Sequence, residues 1–86
     1  MGESILLEAD RLINGERRQD YGDVRKSFDD VATGWSLIIG APVTATQVAL
    51  CMTWLKTMRE VNAHKRDNLV DLAGYVGLAS QLVEGG

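Results

Sequence analysis

Two aspartates separated by one helical turn stand in the segment RDNLVDLAGYVGL, from Arg66 to Leu78. Residues four apart on a helix share a face, so Asp67 and Asp71 are predicted to project from the same side. The rest of the segment is almost entirely apolar, which places Asp71 among residues that a helix would bury. Burying a carboxylate is costly unless something pairs with it. The pattern therefore predicts a partner for Asp71.

Two other charged residues also fall on apolar helical stripes. Glu16 stands four residues after Leu12, and Arg59 stands four residues after Leu55. Glu16, Arg59 and Asp71 belong to three different predicted helices, so one packed bundle could bring them together. An unpaired buried charge costs several kcal/mol, so a bundle in which these three side chains contact one another is favoured. The simplest interpretation is a salt-bridge cluster that fixes how the helices align.

Two kinds of binding site fit the same charges. In the first, Arg59 holds a phosphate bidentately, with Lys56 and either Arg17 or Arg18 nearby. Tyr21 and Tyr75 would then stack on a base. In the second, oxygen ligands hold a hard cation. The carboxylates for that site would be Glu16, Asp67 and Asp71.

The composition indicates one small globular domain covering residues 1–86, with 45% hydrophobic residues and a net charge of −3. A chain of this length buries only about 60–65% of its unfolded surface, which favours a homo-oligomer. The absence of a block of like charge argues against a stable DNA or RNA complex. A single cysteine, no targeting segment and no membrane-length apolar run predict a protein of the cytoplasm.

Four helical segments are predicted from the apolar periodicity and from glycine and proline breaks. The predicted helices cover about Glu3–Arg18, Val24–Ile39, Ala45–Ala63, and a stretch from a cap at Asp67 or Asn68 to Val83. Thr44 and Gln47 match a capping box for the third helix. That helix carries two apolar stripes, which predicts burial both in a core and in a subunit interface. The second helix is amphipathic, and its predicted inner stripe consists of Val24, Phe28, Val31, Trp35 and Ile38.

Three runs of the sequence carry a resemblance to a known family. They are GERRQDYGDVRKSF from Gly15, WLKTMR from Trp54 and DNLVDLAGY from Asp67. The runs resemble a small domain of unknown function that is common in bacteriophage genomes and related to the all-α MazG-like nucleotide pyrophosphohydrolases. The resemblance implies recurrent positions at Arg18, Tyr21, Gly22, Phe28, Lys56, Arg59, Asp67, Asp71, Gly74 and Tyr75.

The catalytic members of the MazG-like group bind magnesium with an EExxE motif on one helix and a DxxxD-like motif on the next. Asp67 and Asp71 could supply the second motif here. The third helix offers only Glu60 as a carboxylate, and Lys56 and Arg59 stand where acids would be needed. Magnesium-assisted attack on a phosphoanhydride needs several carboxylates. The exchange of acids for bases therefore favours an anion site over a metal site.

We therefore expect an all-α, MazG-like antiparallel bundle of about four helices that forms a homo-oligomer in a phage-infected bacterium. The leading hypothesis is a phage-type nucleotide-binding protein that captures a nucleotide or cyclic-nucleotide signal as an anti-defence sponge, with no cofactor and no turnover. In it, Arg18, Lys56 and Arg59 contact phosphate. Asp71 and Glu16 orient the arginines.

Two alternatives remain open from the sequence. One is a magnesium-dependent nucleotide pyrophosphohydrolase, whose acids would be Glu16, Glu60, Asp67 and Asp71. The other is a structural oligomer without a ligand, in which the charges only set the alignment of the helices. The identity of the base and the number of subunits are not predicted.

Overall fold

Four α-helices make up the fold in the computed structural model, which describes residues 2–15 and 24–84 and contains no strand in these ranges. The helices are α1 (Ile5–Asn14), α2 (Val24–Ile39), α3 (Ala45–Asn62) and α4 (Arg66–Val83). The predicted all-α class, with three long helices and a shorter leading one, is confirmed. None of the helices in the described ranges is long and apolar enough to cross a membrane.

The turn between α2 and α3 follows from local chemistry. Gly40 ends α2 with a φ of +78°, a left-handed conformation that favours glycine. The Thr44 hydroxyl accepts a hydrogen bond from the Gln47 N–H at 3.1 Å. The Gln47 side chain in return accepts one from the Thr44 N–H at 2.9 Å. This is the predicted capping box, and it sets the start of α3.

The core lies where α3 packs against α4, and small side chains fill most of it. Ala45, Ala49, Ala79 and Leu82 form one buried cluster, and Phe28 of α2 packs against it while staying partly exposed. Polar contacts run along the same pair of helices, from Glu60 near the end of α3 to Asn68 near the start of α4. The two helices are therefore antiparallel, as predicted.

The first helix departs from the predicted antiparallel arrangement. Arg66, at the start of α4, pairs with Glu8 and donates a hydrogen bond to the Glu3 carbonyl at 2.6 Å. Near the other end of α4, the Gln81 amide donates to the Asn14 side chain at 2.7 Å. The N-terminal end of α1 thus contacts the N-terminal end of α4, and the C-terminal end of α1 contacts the C-terminal part of α4. The prediction of a fully antiparallel bundle is wrong, because α1 and α4 run parallel.

Only part of α2 packs as its amphipathic pattern predicts. The Arg25 guanidinium donates to the Leu82 carbonyl at 2.7 Å, which ties the start of α2 to the C-terminal end of α4. Ala32 is the one residue of α2 that is fully buried. Ile38, predicted on the inner stripe, is 85% exposed, and Val31 is 40% exposed. The prediction that the whole stripe faces the core is therefore wrong at these two positions.

The corner between α3 and α4 is a polar cluster around the Glu60 carboxylate. This carboxylate contacts the His64 ring and accepts hydrogen bonds from the Lys65 N–H at 3.1 Å and from the Asn68 amide at 3.4 Å. The hydrogen bond with His64 is the largest of the effects that hold the pKa of Glu60 below its ordinary 4.5. The hydrogen bonds from Lys65 and Asn68 lower the pKa as well. Glu60 is thus a structural carboxylate of the corner.

The start of α4 differs from the predicted cap. The helix begins at Arg66, and Lys65 occupies the N-cap position without a side-chain hydrogen bond. Asn68, one of the two predicted caps, is buried inside the first turn and donates to the Ala63 carbonyl at 3.3 Å. Asp67, the other predicted cap, is exposed in that turn. A carboxylate there still interacts favourably with the helix dipole.

The two glycines of α4 mark its contact with α1, and the side chain of Ile13 makes the close approach. A Cβ added at Gly77 would lie 2.6 Å from the Ile13 Cδ1, and one added at Gly74 would lie 3.5 Å from the Ile13 Cγ2. The second distance is an ordinary van der Waals contact, and the first is too short. Ile13 therefore fills the space that the missing side chain of Gly77 leaves.

Gly77→Ala is expected to change stability by little, because two effects oppose each other. Alanine favours the helix by about 1 kcal/mol, while displacing Ile13 from its rotamer costs about 0.5–1.5 kcal/mol. In an Ile13→Val background the clashing Cδ1 is gone, so the same substitution should add about 1 kcal/mol. Urea unfolding of the four variants measures both values. Equal effects of Gly77→Ala in both backgrounds would exclude Ile13 as the constraint.

Acid should remove the contribution of Glu60 to stability. Because the folded-state pKa of Glu60 is lowered, this contribution is present above the unfolded-state value and is lost as the pH falls through the folded-state pKa. Glu60→Gln should therefore be less stable than wild type at pH 6 and should match it near pH 3. Urea midpoints between pH 3 and 7 test this. Glu84→Gln, at the exposed end of α4, is the matched control, and a pH-independent Glu60→Gln deficit would contradict the expectation.

Candidate functional site

A cleft of about 370 Å³ lies between α1, α2 and α4. Its walls are mostly apolar, and its polar groups are a serine, a tyrosine and one carboxylate. The lining residues are Ala9, Leu12 and Ile13 from α1; Val24, Ser27 and Phe28 from α2; and Val70, Asp71, Gly74, Tyr75 and Leu78 from α4. Apolar clefts with a few convergent polar groups are the usual form of small-molecule sites.

Two aromatic rings meet in the wall of the cleft. The rings of Phe28 and Tyr75 are 6.4 Å apart between centroids and stand at 90° to each other, an edge-to-face contact. This geometry is one of the favourable arrangements of aromatic pairs. Both side chains stay partly exposed, so ring surface remains available within the cleft. Tyr75 was predicted as a ligand-binding residue, whereas Phe28 was predicted to be core.

The carboxylate in the cleft is held by a lysine of α3. The Lys56 Nζ lies 2.9 Å from the Asp71 Oδ2, with the lysine side chain 13% exposed and the aspartate side chain 42% exposed. Lys56 reaches Asp71 from the side of α4 that faces α3, and Asp71 also borders the cleft. The predicted partner of Asp71 was Arg59, and Lys56 was predicted to contact phosphate. The buried lysine is the partner instead.

The other predicted site residues of the described ranges stand apart from the cleft. Arg59 is exposed and has no carboxylate partner among the described residues, so the prediction of a buried arginine is wrong. Asp67 is exposed as well, and Glu60 belongs to the α3–α4 corner. Residues 2–15 and 24–84 contain no cluster of three or more histidine, cysteine or acidic side chains that could hold a metal ion. Asp67 and Asp71 are therefore not joined there by further metal ligands.

Three predicted site residues fall in the segment between α1 and α2. Glu16, Arg18 and Tyr21 lie outside the described residues. Their proposed roles in binding a phosphate, a base or a cation stay predictions. The described residues that flank this segment most closely in the site are Ile13 and Val24, and both line the cleft.

The sequence interpretation missed the walls that α1 and α2 contribute. Leu12, Ile13 and Phe28 have the periodicity of core residues, and nothing in that pattern distinguishes a closed core from a cleft. The sequence feature that indicated the cleft was Asp71, because a carboxylate on an apolar stripe indicates a solvent-accessible position beside the core. Lys56 was recognised as basic, but it was assigned to a phosphate and not to Asp71.

This arrangement suits reversible binding of a flat, partly apolar molecule. The apolar walls favour a ring, and the exposed part of Tyr75 offers a face for it. Asp71 is aligned by Lys56 and can accept hydrogen bonds from donors on the ligand. Among the described residues, the cleft contains no nucleophile paired with a general base, which acyl or phosphoryl transfer through an enzyme side chain would need.

Comparisons with known proteins agree with the phage-type resemblance. A family model described as a domain of unknown function, DUF6378, matches residues 4–83. The Gene 55 protein of Mycobacterium phage L5 is 40% identical over 81 residues, which cover 92% of this chain and 52% of that protein. The Gene 55 protein of Mycobacterium phage D29 is 39% identical over 85 residues, which cover 98% of this chain and 56% of that protein.

The chain spans about half the length of these curated relatives. No solved structure matches the chain. The family model covers nearly the whole sequence, including all four helices and every residue that lines the cleft. The chain therefore belongs to the DUF6378 family, a family of domains of unknown function that includes proteins of mycobacteriophages.

Proposed function

We propose that this protein binds a nucleotide, or a cyclic-nucleotide signal, and holds it without turning it over. The cleft between α1, α2 and α4 carries the proposal, because it combines apolar walls, an exposed aromatic face and one aligned carboxylate. Its volume of about 370 Å³ lies at the lower end of the range for small-molecule sites. That size suits one nucleoside unit, so a cyclic dinucleotide would place one base in the cleft.

The chemistry of Asp71 restricts the edge of the base. A carboxylate only accepts hydrogen bonds, so the ligand must present N–H groups to it. Adenine, cytosine and guanine carry an exocyclic amino group, whereas the corresponding edge of uracil is dominated by carbonyl oxygens. We therefore expect bases with an amino group to bind more tightly than uracil.

The phosphate would lie on the α3 side of the site. Lys56 and Arg59 are three residues apart on α3 and stand near one face of it. Lys56 is mostly buried against Asp71, so Arg59 is the exposed one of the two; because Arg59 does not line the cleft, the phosphate would have to extend beyond the cleft to reach it. Lys56 would then orient Asp71. A role for Arg18 and Tyr21 stays part of the proposal.

Several further elements belong to the proposal as well. They are the relationship to MazG-like proteins, a homo-oligomeric state, action in the cytoplasm of an infected bacterium, and use as an anti-defence sponge. The phage origin of the relatives supports the last two. The many large apolar side chains that the single chain leaves exposed support the homo-oligomer.

Removing either partner of the Lys56–Asp71 pair should affect stability unequally. Asp71→Asn leaves a lysine that is 13% exposed without its anion, which should cost about 1–3 kcal/mol. Lys56→Met leaves an aspartate that is 42% exposed and that water can hydrate, so the loss should be smaller. Asp67→Asn, one helical turn away and exposed, is the matched control. Urea unfolding measures all three, and equal losses for Asp71→Asn and Asp67→Asn would contradict a structural role for the pair.

Nucleotide binding is tested with a panel of nucleoside mono- and triphosphates and cyclic mono- and dinucleotides. A ligand at 100 times its Kd should add about 2.7 kcal/mol of stability, measured by thermal shift and confirmed by calorimetry. Tyr75→Leu and Asp71→Asn should each weaken binding about tenfold or more, whereas Tyr75→Phe and Asp67→Asn should not. Arg59→Ala should remove the advantage of a nucleotide over its nucleoside.

The same samples separate the proposal from the hydrolase alternative. After incubation with magnesium, chromatography should recover every nucleotide intact. Released pyrophosphate would overturn the proposal in favour of a pyrophosphohydrolase. The absence of a stability shift with every compound would overturn it in favour of a structural oligomer.

A further inference from the structure

The outer side of α3 is apolar, although no residue in the ranges 2–15 and 24–84 covers it. At 100° per residue, the inner side of α3 is set by the buried Val48 and Ala49, and Trp54 points in the opposite direction. Leu50, Met58 and Val61 share the side of Trp54. The exposed fractions are 52% for Leu50, 40% for Met58, 72% for Val61 and 68% for Trp54. We call this surface, together with Gln47 and Thr57, the outer face of α3.

No charged residue lies on the outer face. The charged residues of α3 are Lys56, Arg59 and Glu60, and all three lie within about 70° of the inner direction. A solvent-facing side of a surface helix normally carries the charges. The outer face has the reverse distribution along about 21 Å of helix. Such a surface marks an interface.

The chain exposes more area than a folded monomer of its mass, and this excess is close to what one partner buries in a dimer interface. The 9.4 kDa chain exposes 5952 Å². A folded monomer of this mass is expected to expose about 5,000 Å². The excess of about 950 Å² is close to the roughly 800 Å² that each partner buries in a standard protein–protein interface. The exposed side chains of the outer face contribute to this excess, together with exposed apolar side chains of other helices such as Leu37 and Ile38.

We propose that the outer face of α3 joins two copies of this chain in an antiparallel, two-fold symmetric helix pair. A charge-free face suits self-association, because two chains of net charge −3 then meet without like charges in contact. The proposal rests on the homo-oligomer proposed above and does not depend on the nucleotide. It names the surface and the orientation of the subunits.

The antiparallel orientation follows from where the basic residues lie. Lys56 and Arg59 stand in the C-terminal half of α3, and His64, Lys65 and Arg66 follow it. Several of them already pair with carboxylates of the same chain. In a parallel pair, any of these residues that reaches the edge of the interface would meet its own copy, whereas an antiparallel pair separates the two copies by the length of the helix. Antiparallel helix dipoles also attract each other.

The position of Trp54 sets the register of the pair. Trp54 is at the middle of α3 (Ala45–Asn62), so a two-fold axis there packs each copy of Trp54 against the other. Leu50 of one copy then lies opposite Met58 of the other, and Gln47 lies opposite Val61. The spacing of residues 47, 50, 54, 57 and 61 alternates between three and four, as in the seam of a coiled coil. Large tryptophan contacts at the centre of an interface are typical binding hot spots.

Light scattering coupled to size exclusion, over a range of concentrations, tests the surface. The wild type should have twice the 9.4 kDa chain mass. Trp54→Glu places two like charges at the axis and should weaken association at least tenfold while the helical circular dichroism spectrum stays unchanged. Leu6→Glu, at a 74% exposed position of α1, is the matched control and should remain dimeric. A monomeric wild type, or a dimeric Trp54→Glu, would overturn the proposal.

A charge-pairing experiment tests the register and orientation. Leu50→Glu alone and Met58→Lys alone should each weaken self-association. Mixing the two variants should restore a dimer, because the introduced charges then lie opposite each other across the interface. Failure of the mixture to associate would overturn the antiparallel register. None of these measurements uses a nucleotide, so a negative binding panel would leave their outcome unaffected.

Discussion

The packing of α3 against α4 through alanines constrains the rest of the structure. Ala45, Ala49 and Ala79 let the two helices approach closely, and Val48 is the largest fully buried side chain among the described residues. A buried leucine or phenylalanine stabilises a fold by about 1.5–3 kcal/mol, and an alanine contributes much less. A chain of 86 residues therefore gains little from such a core. Many of its larger apolar side chains stay exposed in the single chain, and Trp54 of α3 is one of them.

The magnitude of the Lys56–Asp71 interaction indicates what it is for. An ion pair with one partner 42% exposed contributes little net stability, because solvent screens it. Its consequence is geometric, since Lys56 fixes one oxygen of a carboxylate that borders an apolar cleft. The parallel approach of α1 along α4 shapes the same cleft, and the Gly74–Gly77 segment accommodates Ile13 there. Orientation of a polar group at the cleft therefore accounts for the pair better than stability does.

Local chemistry made the bounds of α2 and the start of α3 predictable, but not the start of α4 or the neighbours of each face. The bounds of α2 and the capping box at Thr44 follow from residues within a few positions of each other. The partner of Asp71 depends on which stripe of α3 turns inward, and both stripes of α3 are apolar. Small side chains decide this, because Ala45 and Ala49 allow the closer approach. The exposure of Ile38 has the same origin, since periodicity identifies a face and cannot show whether anything packs on it.

The cleft and the outer face of α3 divide the molecule into two surfaces that share no residue. The cleft is lined by α1, α2 and α4 alone, and the outer face lies on the side of α3 that points away from α4. Pairing two chains through α3 would leave each cleft open and complete within its own subunit. Lys56 lies between the two surfaces. It stands on the inner side of α3, and its side chain pairs with Asp71 at the cleft. A rigid helix can carry that contact without moving it, so we expect self-association to stabilise the site without changing its shape.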